Sequence, residues 1–100
     1  MSISEMILQT IGTGESGAVS AEQLTMITGL TARELRKAVE TLRRDGYVII
    51  SSDKGYYYPE TVEEVKRYIK KESRRARSIF FTLHSARELL DKWTDGGNSE

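Results

Sequence analysis

Apolar residues at the start of the chain fall at Ile3, Met6, Ile7, Leu8 and Ile11, spacings of three and four that predict one amphipathic helix. Gly12, Gly14 and Gly17 end it, and Ala18-Val19 leaves room for no more than a single edge strand. Ser20-Ala21-Glu22-Gln23 then fits a capping box, in which the serine oxygen and the glutamine amide satisfy amide groups that have no partner inside a helix. The helix it opens runs to about Thr28 and stops at Gly29, a residue able to adopt the left-handed conformation of a C-terminal cap. Thr31-Ala32-Arg33-Glu34 is a second box two residues later. Two capped helices joined by Gly29-Leu30 make a helix-turn-helix pattern, with Leu30 placed to plug the angle between them.

The second helix of that pair, Ala32 to about Asp45, carries Leu35, Ala38, Val39 and Leu42 on one side. At 100° per residue Arg33, Lys37, Glu40 and Arg44 fall on the other side, with Arg36 and Arg43 on a flank. Gly46 ends the helix, Tyr47 to Ser52 reads as a strand, Asp53-Lys54-Gly55 as a hairpin turn, and Tyr56-Tyr57-Tyr58 as the return strand before Pro59. Alternation predicts Tyr47, Ile49, Tyr56 and Tyr58 against the helices, with Val48, Ile50 and Tyr57 more exposed.

From Thr61 the pattern changes. Val62, Val65, Ile69, Glu72, Ala76, Ile79, Leu83, Ala86, Leu90 and Trp93 alternate spacings of three and four, a heptad seam interrupted only at Glu72. A continuous helix over 61–93 is about 50 Å long, more than the roughly 30 Å span of a small domain, so its far end needs cover from elsewhere. Self-association through Ile79, Phe80, Leu83, Ala86, Leu90 and Trp93 is the expectation, with a helical hairpin as the alternative if the chain bends near Glu72 to Arg75. The organisation expected is therefore a domain at 1–60, a C-terminal helix at 61–94 and a polar, disordered tail at 95–100. The fold class is mainly α with a small β-hairpin, α+β.

A length of 100 residues excludes a second full core. With no cysteine there is no disulfide, thiolate metal site or thiol nucleophile, and the single histidine, His84, builds neither a zinc site nor a catalytic pair. Carboxylates such as Glu63 and Glu64 sit at a helix N-terminus, where negative charge is favourable without any catalytic role. The glycines at 12, 14 and 17 lack the Lys-Ser/Thr of a phosphate-binding loop. A non-enzymatic protein without cofactor or metal is expected. No apolar run approaches the ~20 residues of a membrane span, and the N-terminus lacks the basic start of a signal peptide, so a cytoplasmic location is expected. The formal charge of zero hides unlike regions: residues 1–30 hold three acidic groups and no basic one, and residues 66–77 hold seven basic groups against Glu72. That run is either a solvated helix surface or a second phosphate-contacting strip.

The helix-turn-helix followed by D-G-Y-V-I-I-S-S-D-K-G-Y-Y-Y from Asp45 resembles a winged helix-turn-helix domain of the biotin-operon-repressor type, over residues 3–58. Small proteins of this pattern with a long C-terminal helix also resemble those encoded by phages and prophages. The basic helix would enter the major groove of double-stranded DNA, with Arg33, Arg36 and Lys37 as candidates for base edges and Thr31 for base or phosphate. Ser20 with the free amides at its helix start, and Arg43 from the far end, would hold phosphate. The resemblance implies Ser52 and Lys54, at the wing tip, as backbone or minor-groove contacts. The expected function is sequence-specific DNA binding by a dimeric transcriptional regulator. The alternatives are a winged-helix protein-interaction module and an accessory in phage DNA replication or packaging.

Overall fold

The computed structural model describes residues 1–95. It is mainly helical with a small three-stranded sheet, in the order α1 (Ile3–Thr10), β1 (Gly12–Thr13), a short 3-10 turn (Glu15–Gly17), α2 (Ala21–Thr28), α3 (Ala32–Arg44), β2 (Ile50–Ser52), β3 (Gly55–Tyr58) and α4 (Val62–Asp95). The chain divides into two compact units, Met1–Val65 and Lys66–Glu100.

All four α-helices open with the same device. Ser2, Ser20, Thr31 and Thr61 each accept a hydrogen bond from the amide three residues on, while Glu5, Gln23, Glu34 and Glu64 bond back to the capping amide. The boxes at Ser2 and Thr61 follow the same spacing as the two expected ones. Holding the Ser2 amide and hydroxyl lowers the Glu5 carboxyl pKa below its ordinary value. Glu64 does more than cap. It is buried, and its two oxygens accept from the amides of Glu60 (2.6 Å), Thr61 (3.1 Å) and Glu15 (3.3 Å), tying the first turn of α4 to the segment after β1.

In the first unit the core is Ile7, Ile11, Leu24, Leu35, Val39, Leu42 and Ile49, with Leu8, Val19, Ala38, Tyr56 and Tyr58 packed on it. The sheet has the order β1-β3-β2: β2 and β3 pair antiparallel, and β1 runs parallel to β3 with Gly12 opposite Tyr57. Val19, where at most an edge strand is expected, forms only an isolated bridge, exchanging two backbone hydrogen bonds with Tyr56. The alternation expected from Tyr47 onward holds for Ile49, Tyr56 and Tyr58, which join the core, and for the exposed Val48, but not for Tyr47, Ile50 and Tyr57. Tyr47 is 46% exposed, whereas Ile50 and Tyr57 are buried. Strand pairing begins only at Ile50, and the Tyr47 amide still bonds the Leu42 carbonyl, so Tyr47 belongs to the exit turn of α3. Ile50 and Tyr57 are cross-strand partners on the face away from Tyr56 and Tyr58, and that face is covered too.

Two glycines carry the turns. Gly29 caps α2 at φ 77° with open space around the missing Cβ, while Gly55 sits at φ 125° with its Cα facing the Val19 carbonyl, where a Cβ would collide. Gly29→Ala is therefore expected to cost about 1 kcal/mol, the left-handed penalty alone. Gly55→Ala is expected to cost about 3 kcal/mol, since the strand or the Val19 bridge must also shift; urea midpoints of the two variants check the order.

Tyr58 reaches from β3 to α1, where its hydroxyl donates to the Leu8 carbonyl, one of the helix-end acceptors with no partner in the helix. Burial, and then the neighbouring Tyr47, raise its pKa above the ordinary value of 10.0. The folded state thus holds the Tyr58 proton more tightly than the unfolded state. The stability it contributes is complete below pH 10 and is lost as the pH rises through the higher folded value. An alkaline loss of stability that shrinks in Tyr58→Phe, followed by thermal melts from neutral to strongly alkaline pH, is the expected result.

In the second unit α4 continues as one α-helix without the bend near Glu72 to Arg75 that a hairpin would need. Arg75 pairs with Glu72 at 3.6 Å, and His84 faces Glu88 at 3.4 Å. The tail expected to be disordered, from 95 onward, lies outside the described residues apart from Asp95 at the end of α4.

Candidate nucleic-acid interface

α3 separates two chemistries along one cylinder. Leu35, Val39 and Leu42 are buried at 0 to 2% exposure, and every other α3 residue except Ala38, Glu40 and Arg43 is exposed. Its entry is fixed by Thr31, whose Oγ1 accepts from the Glu34 amide at 3.1 Å while Glu34 Oε1 accepts from the Thr31 amide at 2.9 Å. Gly29 turns the chain between α2 and α3, and Leu30 behind it is half-buried. These features hold the first turns of α3 at the surface of the unit with Arg33, Arg36 and Lys37 in solvent.

Those three cations are open. Among the described residues none of Arg33, Arg36, Lys37 or Arg44 has a side-chain hydrogen bond or ion pair. The two carboxylates on the same helix are directed elsewhere, Glu34 into the capping box and Glu40 towards Arg43 at 3.5 Å. An exposed guanidinium pair of this kind can present planar, bidentate donors to an acceptor edge, which an ion-paired one does poorly.

Arg43 is placed differently. Its side chain is 15% exposed, and its Nε donates to the Ile49 carbonyl at 2.9 Å, joining the end of α3 to the residue before β2. Its guanidinium works inside the unit as a tether. Ser20 caps α2, its Oγ accepting from the Gln23 amide at 3.1 Å. Ser52 and Lys54 lie at the end of the β2-β3 hairpin; Ser52 Oγ accepts from the Lys54 amide at 3.1 Å, which fixes the turn and leaves the Lys54 side chain exposed.

In the second unit Ile79, Phe80, Leu83, Leu90 and Trp93 are between 45 and 69% exposed, and Ala86 is exposed with them. Phe80 packs edge-on against Phe81 at 6.4 Å between ring centres. Among the described residues no group of His, Cys, Asp or Glu side chains could hold a metal ion, and no helix is long and apolar enough to cross a membrane.

Sequence reasoning missed Glu64, read as an ordinary helix-start charge, although Thr61-Val62-Glu63-Glu64 repeats the capping spacing found at Ser20 and Thr31. It also missed β1, for which two residues, Gly12 and Thr13, give no alternation to read. Comparison of the chain with protein-family models, with curated proteins and with solved structures finds no match.

Proposed function

We propose that the protein is a small winged-helix regulator that binds double-stranded DNA sequence-specifically and acts as a dimer through α4. The observation that carries this reading is the exposed, unpaired set Arg33, Arg36 and Lys37 on the first half of a helix whose other side is anchored in the core. In the major groove a guanidinium from Arg33 or Arg36 donates in parallel to guanine O6 and N7, and Lys37 adds a donor to a base edge or phosphate. Thr31 and Ser20, each at a helix start, bring amide-rich ends with positive dipole towards phosphates. Lys54 at the hairpin tip contributes a further phosphate or minor-groove contact.

A protein-interaction module is the competing reading, favoured by the zero net charge and the acidic first third of the chain. It would be favoured further by a basic side of α3 neutralised by its own carboxylates. Glu34 and Glu40 instead bond the Thr31 amide and Arg43, which supports the DNA reading.

Fluorescence anisotropy of a labelled duplex at about 50 and about 200 mM salt tests the proposal. With about six phosphates contacted by the dimer, affinity falls about a thousandfold between the two. Absence of binding at the lower salt, or binding indifferent to salt, rules it out.

A further inference from the structure

The exposed stripe on α4 carries information about how a second copy would lie on it. Taking Ala76, Leu83 and Leu90 as one heptad position and Ile79, Ala86 and Trp93 as the other, the seam can be matched to itself in two directions. In a parallel pair each residue meets its own copy. Ala76 then faces Ala76, Ala86 faces Ala86 and Trp93 faces Trp93, so two layers are left hollow and one is overfilled. Four residues before Ala76, at the preceding seam position, the two Glu72 carboxylates come together, and the +6 runs at residues 66–77 lie side by side, within reach of mutual repulsion over their whole length. A parallel pair would cover Ile69 as well, but a single added apolar layer does not offset the repulsion between two runs of +6 each.

Reversing one helix removes each of these conflicts. When Leu83 is set opposite the partner's Ala86, Ile79 falls opposite the partner's Leu90 and Ala76 opposite the partner's Trp93. Two of the resulting layers, Leu83 with Ala86 and Ala76 with Trp93, combine a larger with a smaller side chain, and the third matches Ile79 with Leu90 of similar size, so no layer is left hollow or overfilled. Glu72 falls outside the packed layers, and the two basic runs no longer lie side by side, since only Arg74, Arg75 and Arg77 are level with the end of the partner's helix. Phe80 comes beside Arg87 of the partner subunit, a cation over an aromatic ring. Resting on the dimer reading above, we infer that two copies pair antiparallel through residues 76–93 of α4, in the register that sets Ala76 against the partner's Trp93.

The absence of cysteine from the chain makes the register directly readable. Ser73 and Thr94 are exposed and flank the seam without belonging to it. In the antiparallel register Ser73 lies near the partner's Thr94, while the two copies of Thr94 are about 29 Å apart along the axis, about 19 residues at 1.5 Å each. Ser73→Cys and Thr94→Cys proteins, one carrying a tag that changes its size, are mixed, left to exchange and treated with a short bis-maleimide. The expected product is the mixed-size cross-linked dimer, with self-linking lost in either variant alone. Self-linking of Thr94→Cys, with no mixed product, overturns the orientation and shows a parallel pair. A dimer by sedimentation that yields neither product overturns the register and places the contact on another surface. A monomer by sedimentation overturns the dimer reading and this inference with it.

Discussion

Arg33→Ala combined with Arg36→Ala is expected to lower affinity for the specific duplex by about thirtyfold to twenty-thousandfold per half-site while leaving the fold intact. Each bidentate guanidinium contact to guanine is worth about 1 to 3 kcal/mol of discrimination, and two removed together give about 2 to 6 kcal/mol. Neither side chain contributes to the core, neither has a partner to orphan, and alanine is at least as good a helix former as arginine. Stability should therefore move by no more than about 0.5 kcal/mol, so a binding loss cannot be traced to unfolding. Binding to random-sequence DNA should fall much less, since most of it comes from phosphate contacts elsewhere. Arg43→Ala is the internal contrast. It removes the tether to the Ile49 carbonyl and lowers the melting temperature, separating a cation that holds the unit together from cations that face outward. Anisotropy titrations paired with thermal melts of the same preparations check both halves. If sequence preference survives the double substitution, α3 is not the reading helix.

Leu83→Asp is the second change with a large expected effect, and it acts on assembly. Leu83 is near the middle of the exposed stripe and is 45% exposed in the single chain, so the substitution leaves the core of the first unit untouched. In a pair of helices it introduces two carboxylates into the seam and removes two leucines from it. At about 2 kcal/mol per leucine, burial alone loses about 4 kcal/mol, a thousandfold in the dimerisation constant, before the carboxylates are desolvated. Sedimentation should show a dimer for the natural chain and a monomer for the variant at the same concentration. DNA affinity for a two-half-site duplex should fall with it, because the second domain no longer binds as part of one molecule. An unchanged sedimentation coefficient would remove α4 from the assembly.

The helices were legible in the chain because they are punctuated. Ser20 and Thr31 announce helix starts, Gly29 and Gly46 announce stops, and the spacing of Leu35, Val39 and Leu42 assigns the buried side of α3. Beyond that the failures are instructive. Tyr47 reads as a core strand residue because aromatic and β-branched neighbours follow it, yet a backbone bond to Leu42 keeps it in the helix exit, which composition does not express. Ile50 and Tyr57 defeat the alternation rule because both faces of this small sheet are covered. The α3 candidates Arg33, Arg36 and Lys37 could be placed on an outer face by periodicity alone. That Arg43 turns inward could not, since its partner is the carbonyl of Ile49, a backbone atom that carries no sequence signature.

The central claim is that the first half of α3 reads base edges in the major groove. The most direct measurement uses a duplex selected from a random pool, in which guanines are replaced one at a time by 7-deazaguanine, removing the N7 acceptor and leaving the minor groove and the phosphates as they were. The account predicts one or two positions at which affinity drops about tenfold or more, and no further drop at those positions for the Arg33→Ala, Arg36→Ala protein. Affinity indifferent to the replacement at every guanine, for a duplex that the protein nevertheless selects, would contradict it.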